Sequence, residues 1–293
     1  MTVLVVLAYG IGATLGVLSA RSSRLESSWR VIIRAQILLA SVFVSLLAAW
    51  RLADIADLLW PVLAALLSVV VVITAWFVTP AGPDRPGRAA LRGWSASPNG
   101  GFWVIPVATS VAGAPGAVVA VLADRVIVFM YSSLTWVLRR YAPRPQRVRT
   151  SWIDQAPLIA LAIGLGLNAA SDAPEWTGTA LVWTAPLMAL SGAAVFVGSA
   201  LHPSQRLPWR SGMRVWLILT TVRLVIFITA AFFAPTPEVA IMLVLFAFSI
   251  PAFFPPQLSV LYGYADPVVA TAARWGWIWA PVGITTALLI WRA

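Results

Sequence analysis

The chain has 293 residues, of which 60% are hydrophobic and only 10% charged, with a formal net charge of +10 and no cysteine. Charged residues make up roughly a quarter of an ordinary soluble domain, so this composition excludes one and describes a polytopic membrane protein. Without cysteine, disulfides, thiolate metal sites and thiol nucleophiles are excluded as well.

The first apolar run, Thr2–Ala20, lacks a positive leader and is followed by Arg21, Arg24 and Arg30. It reads as a retained span rather than a cleaved signal. Val31–Trp50 and Ile55–Val78 are the second and third spans, and the loop from Thr79 carries Arg85, Arg88 and Arg92. The fourth, Ser97–Gly113, is apolar but interrupted by Pro98, Gly100, Gly101 and Pro106. A backbone released from helical hydrogen bonding is tolerated at membrane depth only where protein or an aqueous cavity satisfies it. Pro115–Leu138 is the fifth span, and Arg139, Arg140, Arg144, Arg147 and Arg149 close it.

The second half repeats this plan, with apolar runs over Ile153–Ala169, Trp176–Ala200, Gly212–Ala234, Val239–Gly263 and Pro267–Trp291. The ninth span is again proline-broken, at Pro255 and Pro256, and Pro256 precedes Gly263 by the spacing that separates Pro106 from Gly113. Ten spans result: a first five-helix repeat over residues 1–138, an Arg/Pro-rich cytoplasmic linker over 139–152 and a second repeat over 153–293. An odd number of spans per half sets the halves in opposite orientations, as inverted repeats. Arginine is confined largely to the odd-numbered loops, whereas the others hold Arg51 with Asp54, then Asp172, Glu175 and Glu238. The arginine-rich side is therefore expected to be cytoplasmic, with both termini extracytoplasmic in an inner-membrane protein. The Arg139–Arg149 run reads as a positive-inside loop, which also suits anionic lipid heads, and not as a nucleic-acid surface.

Paired breaks in corresponding spans point to a binding site. Half-helix N-termini present unpaired N–H groups suited to a carboxylate. Asn99 offers a donor and an acceptor there, Gly100 and Gly101 admit close approach to the backbone, and Pro106 marks the break. Equally, Asn99 reads as a helix cap and the glycines as crossing points. Pro255, Pro256 and Gln257 are the counterparts in the ninth span, with Ser249 a further polar candidate. Asp124 and Arg125 in the fifth span, Arg223 in the eighth and Arg274 in the tenth lie at costly depth and need partners or water. Neighbours on a helix are about 100° apart, so Asp124 and Arg125 are not expected to pair with each other. Asp124 is a candidate coupling group for a proton or Na⁺, or one half of a structural bridge with an arginine. Arg125 and Arg274 read as snorkelling residues, and Arg223 suits a cavity or a bridge. Intramembrane arginines outnumber the aspartate, which favours an anionic ligand. His202, the only histidine, sits in a loop; neither a metal cluster nor a Ser-His-Asp set can be assembled, and phosphate-loop and dinucleotide signatures are absent. The expectation is a non-enzyme without cofactor.

Asn99-Gly100-Gly101-Phe102-Trp103-Val104-Ile105-Pro106, with Gly113 at a turn and Asp124 in the next span, resembles the auxin efflux carrier family. Pro255-Pro256, Tyr262-Gly263 and Asp266-Pro267-Val268-Val269-Ala270 extend the likeness, as do Ala156–Leu161 with Gly164 and Ala185–Leu190. Gly100 departs from the family's usual threonine, and the ninth-span break lacks a neighbouring Asn or Ser beside Pro255. The resemblance implies an all-α fold of ten transmembrane helices in two inverted five-helix repeats, with broken crossover helices four and nine. It also implies secondary active transport of a small organic anion, by alternating access at that crossover, and a scaffold that often dimerises. A transporter-like membrane sensor or ligand-binding subunit without turnover is the alternative.

Overall fold

The computed structural model describes residues 1–21, 23–78, 98–141, 155–200, 209–249 and 279–293. Among them all regular structure is helical, as the composition implies. The helices are α1 (Thr2–Arg21), α2 (Ser23–Trp50), α3 (Leu59–Val78), α4 (Ile105–Tyr141), α5 (Ala156–Ala170), α6 (Trp176–Ala200), α7 (Trp209–Ala231), α8 (Pro237–Ala247) and α9 (Ala280–Arg292). A 3₁₀ turn, Ile55–Leu58, leads into α3, and a π turn, Gly100–Val104, leads into α4. Thr2–Arg21 and Gly100–Ile127 meet the length and apolarity of a membrane-crossing helix among the described residues, the second counted through a turn at Gly113.

The helices form two panels. α1 packs along α6 and α2 along α5, with α2 also touching α6. In the other panel α3 packs on α4 and α7, α7 on α8, and α8 on both α4 and α9. The panels meet where α4 and its leading π turn lie against α6, α1 and α2.

Small residues set the α1–α6 contact. Val5, Ala8, Gly12, Gly16 and Ser19 form the buried stripe of α1. Gly12 lies against the Leu190 carbonyl, and a Cβ on Gly16 would come within 2.7 Å of the Ala194 carbonyl oxygen. Such close backbone approach is how helices associate in a medium as apolar as their own side chains. Gly164 of α5 makes the same kind of contact with the Leu46 carbonyl of α2. Polar ties fasten the end of that pair. Asn168 Nδ2 donates to the carbonyls of Trp50 (2.7 Å) and Leu52 (2.8 Å), and Arg51 Nη1 donates to Thr177 Oγ1 (2.8 Å).

Large apolar side chains cover the outside of both panels: Val3, Leu7 and Ile11 on α1, Leu66 and Phe77 on α3, Ile159 and Ile163 on α5, and Trp183 on α6. Contiguous apolar surface on this scale needs an apolar solvent or partner.

Helix α4 is two limbs joined at Gly113, whose φ of 65° and ψ of −146° are non-helical. Only glycine adopts this region without strain, so the expected turn falls on the residue that permits it. Pro115 follows directly, in the first turn of the second limb, where a missing N–H costs nothing. Gly113→Ala is expected to destabilise the fold by roughly 2 kcal/mol from backbone strain alone. A Cβ there would meet no atom within 4 Å, so an unchanged melting temperature would refute the strain account.

Candidate functional site

The break in the fourth span is built by Asn99 and Pro106. Asn99 is buried, 4% exposed, and its side-chain oxygen accepts from Phe102 N–H at 3.2 Å as an N-cap. Its cap role, one of the two open readings, is therefore present. The chain then winds wide: Val104 N–H reaches back to the Asn99 carbonyl at 3.1 Å, a π-type bond. Pro106 supplies the reason for a tie across the panels. It has no N–H, so the Phe102 carbonyl four residues earlier lacks its helical donor. The Tyr9 hydroxyl of α1 donates to that carbonyl instead, at 2.8 Å, and the Tyr9 ring tilts against Trp103 with centroids 6.0 Å apart. Sequence reasoning overlooked Tyr9, whose signal was a lone phenol in an otherwise aliphatic run.

The turn at Gly113 sends the second limb back alongside the first, and this brings Asp124 to the Gly100–Gly101 backbone. The carboxylate Oδ1 packs so closely on Gly100 that a Cβ there would collide with it. Gly101 lies beside the same carboxylate, with Oδ2 3.8 Å from where a Gly101 Cβ would stand. Gly100, the departure from the resembled pattern, thus has a physical reason: a threonine in this backbone would displace Asp124. Met188 of α6 lies beside Gly101, with its terminal carbon 4.0 Å from where a Gly101 Cβ would stand. Phe102 occupies the space over Gly192, and a Cβ on Gly192 would come within 2.5 Å of the Phe102 Cβ.

Two expectations about this pair require correction. Asp124 and Arg125 do pair, Arg125 Nη2 lying 3.3 Å from Asp124 Oδ2. The 100° between adjacent Cα–Cβ directions is spanned because the arginine side chain is long enough to curl back across its neighbour. Nor does Arg125 snorkel, for it is only 7% exposed. Its Nε is buried and has no hydrogen-bond partner among the described residues.

Arg223 of α7 is also buried, at 4% exposed, and it meets the backbone of α8. Its Nε donates to the Ala247 carbonyl at 3.0 Å and its Nη2 to the Ser249 carbonyl. These carbonyls end α8, where the helix leaves its last acceptors unpaired and carries partial negative charge. Arg223 thus caps the C-terminal end of α8, and among the described residues it has no ion-pair partner. The adjacent Ser249 hydroxyl is fully buried and has no hydrogen-bond partner among the described residues.

The structure therefore brings together Asn99, Gly100, Gly101 and Asp124, with Pro106 farther along the same limb, while Arg223 marks a second helix end. Pro255, Pro256 and Gln257 lie outside the described residues, as do Arg274, His202 and the Asp266 motif. Among the described residues no group of three or more His, Cys, Asp or Glu is placed to hold a metal ion. Chemically, the site offers a dehydrated helix terminus occupied by a carboxylate, one guanidinium with a spare N–H, and apolar walls. Comparison with protein-family models and with curated proteins returned no match to this chain.

Proposed function

We propose that this chain is a secondary active transporter of the auxin efflux carrier type. It would move a small organic anion across the cytoplasmic membrane by alternating access where helices four and nine cross. One observation carries the reading: the broken fourth helix exposes backbone at its buried start, and that backbone receives a carboxylate, Asp124. A terminus that seats one carboxylate has the charge and the donors to seat another.

The packing supports the ten-span, inverted-repeat reading. If spans one to five repeat as six to ten, α1 and α2 correspond to α5 and α6, α3 to α7, and the first limb of α4 to α8. The observed contacts then fall into matched sets: α1 on α6 answers α2 on α5, α3 on α4 answers α7 on α8, and α3 meets its own counterpart α7. A two-fold relation between halves generates such a pattern. The apolar exterior supports immersion in a bilayer, and the panel of α1, α2, α5 and α6 suits a scaffold against which the crossover panel moves. That scaffold is also the surface on which a homodimer would form.

Thermal-shift measurements on detergent-purified protein test the reading, using acetate, malate and benzoate with acetamide and benzamide as neutral controls. A ligand that binds only the folded state raises apparent stability by mass action. At least one carboxylate is expected to raise the melting temperature while its amide does not. Asn99→Ala is expected to start lower, by about 1 kcal/mol for the lost cap, and to show a diminished shift. Stabilisation by the amides alone would reverse the charge argument, and silence across the panel would remove the anion reading.

A further inference from the structure

The helix terminus at Gly100 already holds a carboxyl group, and that group belongs to the protein. Asp124 Oδ1 lies on Gly100 where no side chain fits, and the carboxylate also lies beside Gly101, whose N–H is among the first of the limb. Arg125 Nη2 stands 3.3 Å from Oδ2, while Arg125 Nε is buried and has no hydrogen-bond partner among the described residues. The Arg125 side chain is 8% exposed, so this N–H has no water to turn to. A buried guanidinium with an unmet donor can take one more acceptor than Asp124 supplies.

We propose that Asp124 is an internal surrogate for the carboxylate of the transported anion, which takes over the Gly101 N–H and the Arg125 guanidinium as Asp124 accepts a proton. The inference rests on the transport reading above and deepens it by assigning the coupling ion, one proton for each anion.

The reason is electrostatic. Two ionised carboxylates in contact within a dehydrated site repel strongly, and one of a close pair takes a proton. A protonated Asp124 becomes a hydrogen-bond donor with an acceptor beside it in the ligand. The balance is simple: Asp124–COO⁻ and H⁺ give Asp124–COOH, the anion R–COO⁻ pairs with Arg125, and no covalent bond to carbon forms or breaks. The charge of the site is the same before and after, so the loaded and empty forms face the same dehydration cost when the panel moves.

Other charged and titratable groups on the elements packed around α4 are committed or remote. The Tyr9 hydroxyl of α1 donates to Phe102, and Arg223 of α7 donates to the end of α8. α3 and α6 carry no ionisable residue, Arg21 ends α1, Glu238 lies in the first turn of α8 and Arg292 ends α9. On α2, Arg24, Glu26, Arg30 and Arg34 all fall in the first half of the helix. Among the described residues, Arg125 is the charged group in contact with Asp124.

The test counts protons. Full-length protein in weakly buffered detergent, with a pH-indicator dye, is titrated with acetate, malate and benzoate between about pH 5.5 and 8, where all three carry ionised carboxylates. Benzamide serves as the control. The expected result is uptake of one proton per anion bound, with affinity tightening about tenfold for each pH unit lowered. Asp124→Asn is expected to bind the same anion without proton uptake and with affinity independent of pH. If that variant does not fold, the wild-type proton count decides alone. Wild-type binding without proton uptake would overturn the surrogate role and leave the transport reading standing. So would an Asp124→Asn protein that keeps the wild-type pH slope. Absence of any carboxylate binding to wild type would instead bring down the transport reading on which the inference rests.

Discussion

Replacing Arg223 with leucine is expected to destabilise the detergent-purified protein by roughly 3 kcal/mol, a loss of several degrees in melting temperature. The guanidinium makes two charge-assisted hydrogen bonds to the carbonyls of Ala247 and Ser249. Each is worth about 1.5–3 kcal/mol, and buried acceptors left unpaired incur their full desolvation cost. Removing a buried charge returns part of this, because leucine needs no hydration. Lysine at this position reaches one carbonyl as a point charge and is expected to fall between leucine and wild type. Thermal unfolding of the three proteins in one detergent checks the order. If the leucine variant melts with wild type, Arg223 does not hold the end of α8.

The second large effect is expected at Gly12. A leucine there cannot fit, because even its Cβ would collide with the backbone oxygen of Leu190, and no rotamer relieves a clash at Cβ. α1 and α6 would have to part, losing the close contact that runs from Val5 to Ser19. A cost of roughly 3 kcal/mol is expected, at the upper end of overpacking effects. Gly10 lies two residues away on the same helix, and a Cβ there would meet nothing within 4 Å. Gly10→Leu is expected to change stability by no more than about 0.5 kcal/mol. The comparison holds helix, residue type and lipid environment constant, and equal effects at the two positions would refute the packing seam.

These two positions also mark what the sequence concealed. The helical class followed from composition, and the breaks were legible because glycine and proline act locally: Pro106 removes an N–H, and Gly113 permits a positive φ. The capping role of Asn99 was open in the sequence for the same reason. Arg223 was recognisable as a buried cation, but its partners are backbone carbonyls, which carry no residue signature. A sequence reading looks for an acid, whereas the groups that hold the arginine belong to the main chain. The spacing of Ala8, Gly12 and Gly16 was visible, but which helix would accept it depends on a contact more than 170 residues away. The pairing of Arg125 with Asp124 was misjudged through treating side chains as rigid spokes. The seat of Asp124 on Gly100 needed the fold-back at Gly113, since 24 residues of chain separate the two.

That fold-back bears on membrane voltage. From Gly100 to Ala112 the first limb has 13 residues, about 20 Å at helical rise, against a hydrocarbon core of about 30 Å. With Gly113 near the outer surface, as the proposed topology has it, Gly100 stops about 10 Å short of the cytoplasmic side. A proton that reaches Asp124 from outside ahead of its anion then crosses about two thirds of the membrane potential, and one arriving from the cytoplasm about a third. At roughly 2.3 kcal/mol per charge per 100 mV, loading from outside would respond to voltage about twice as strongly as loading from within.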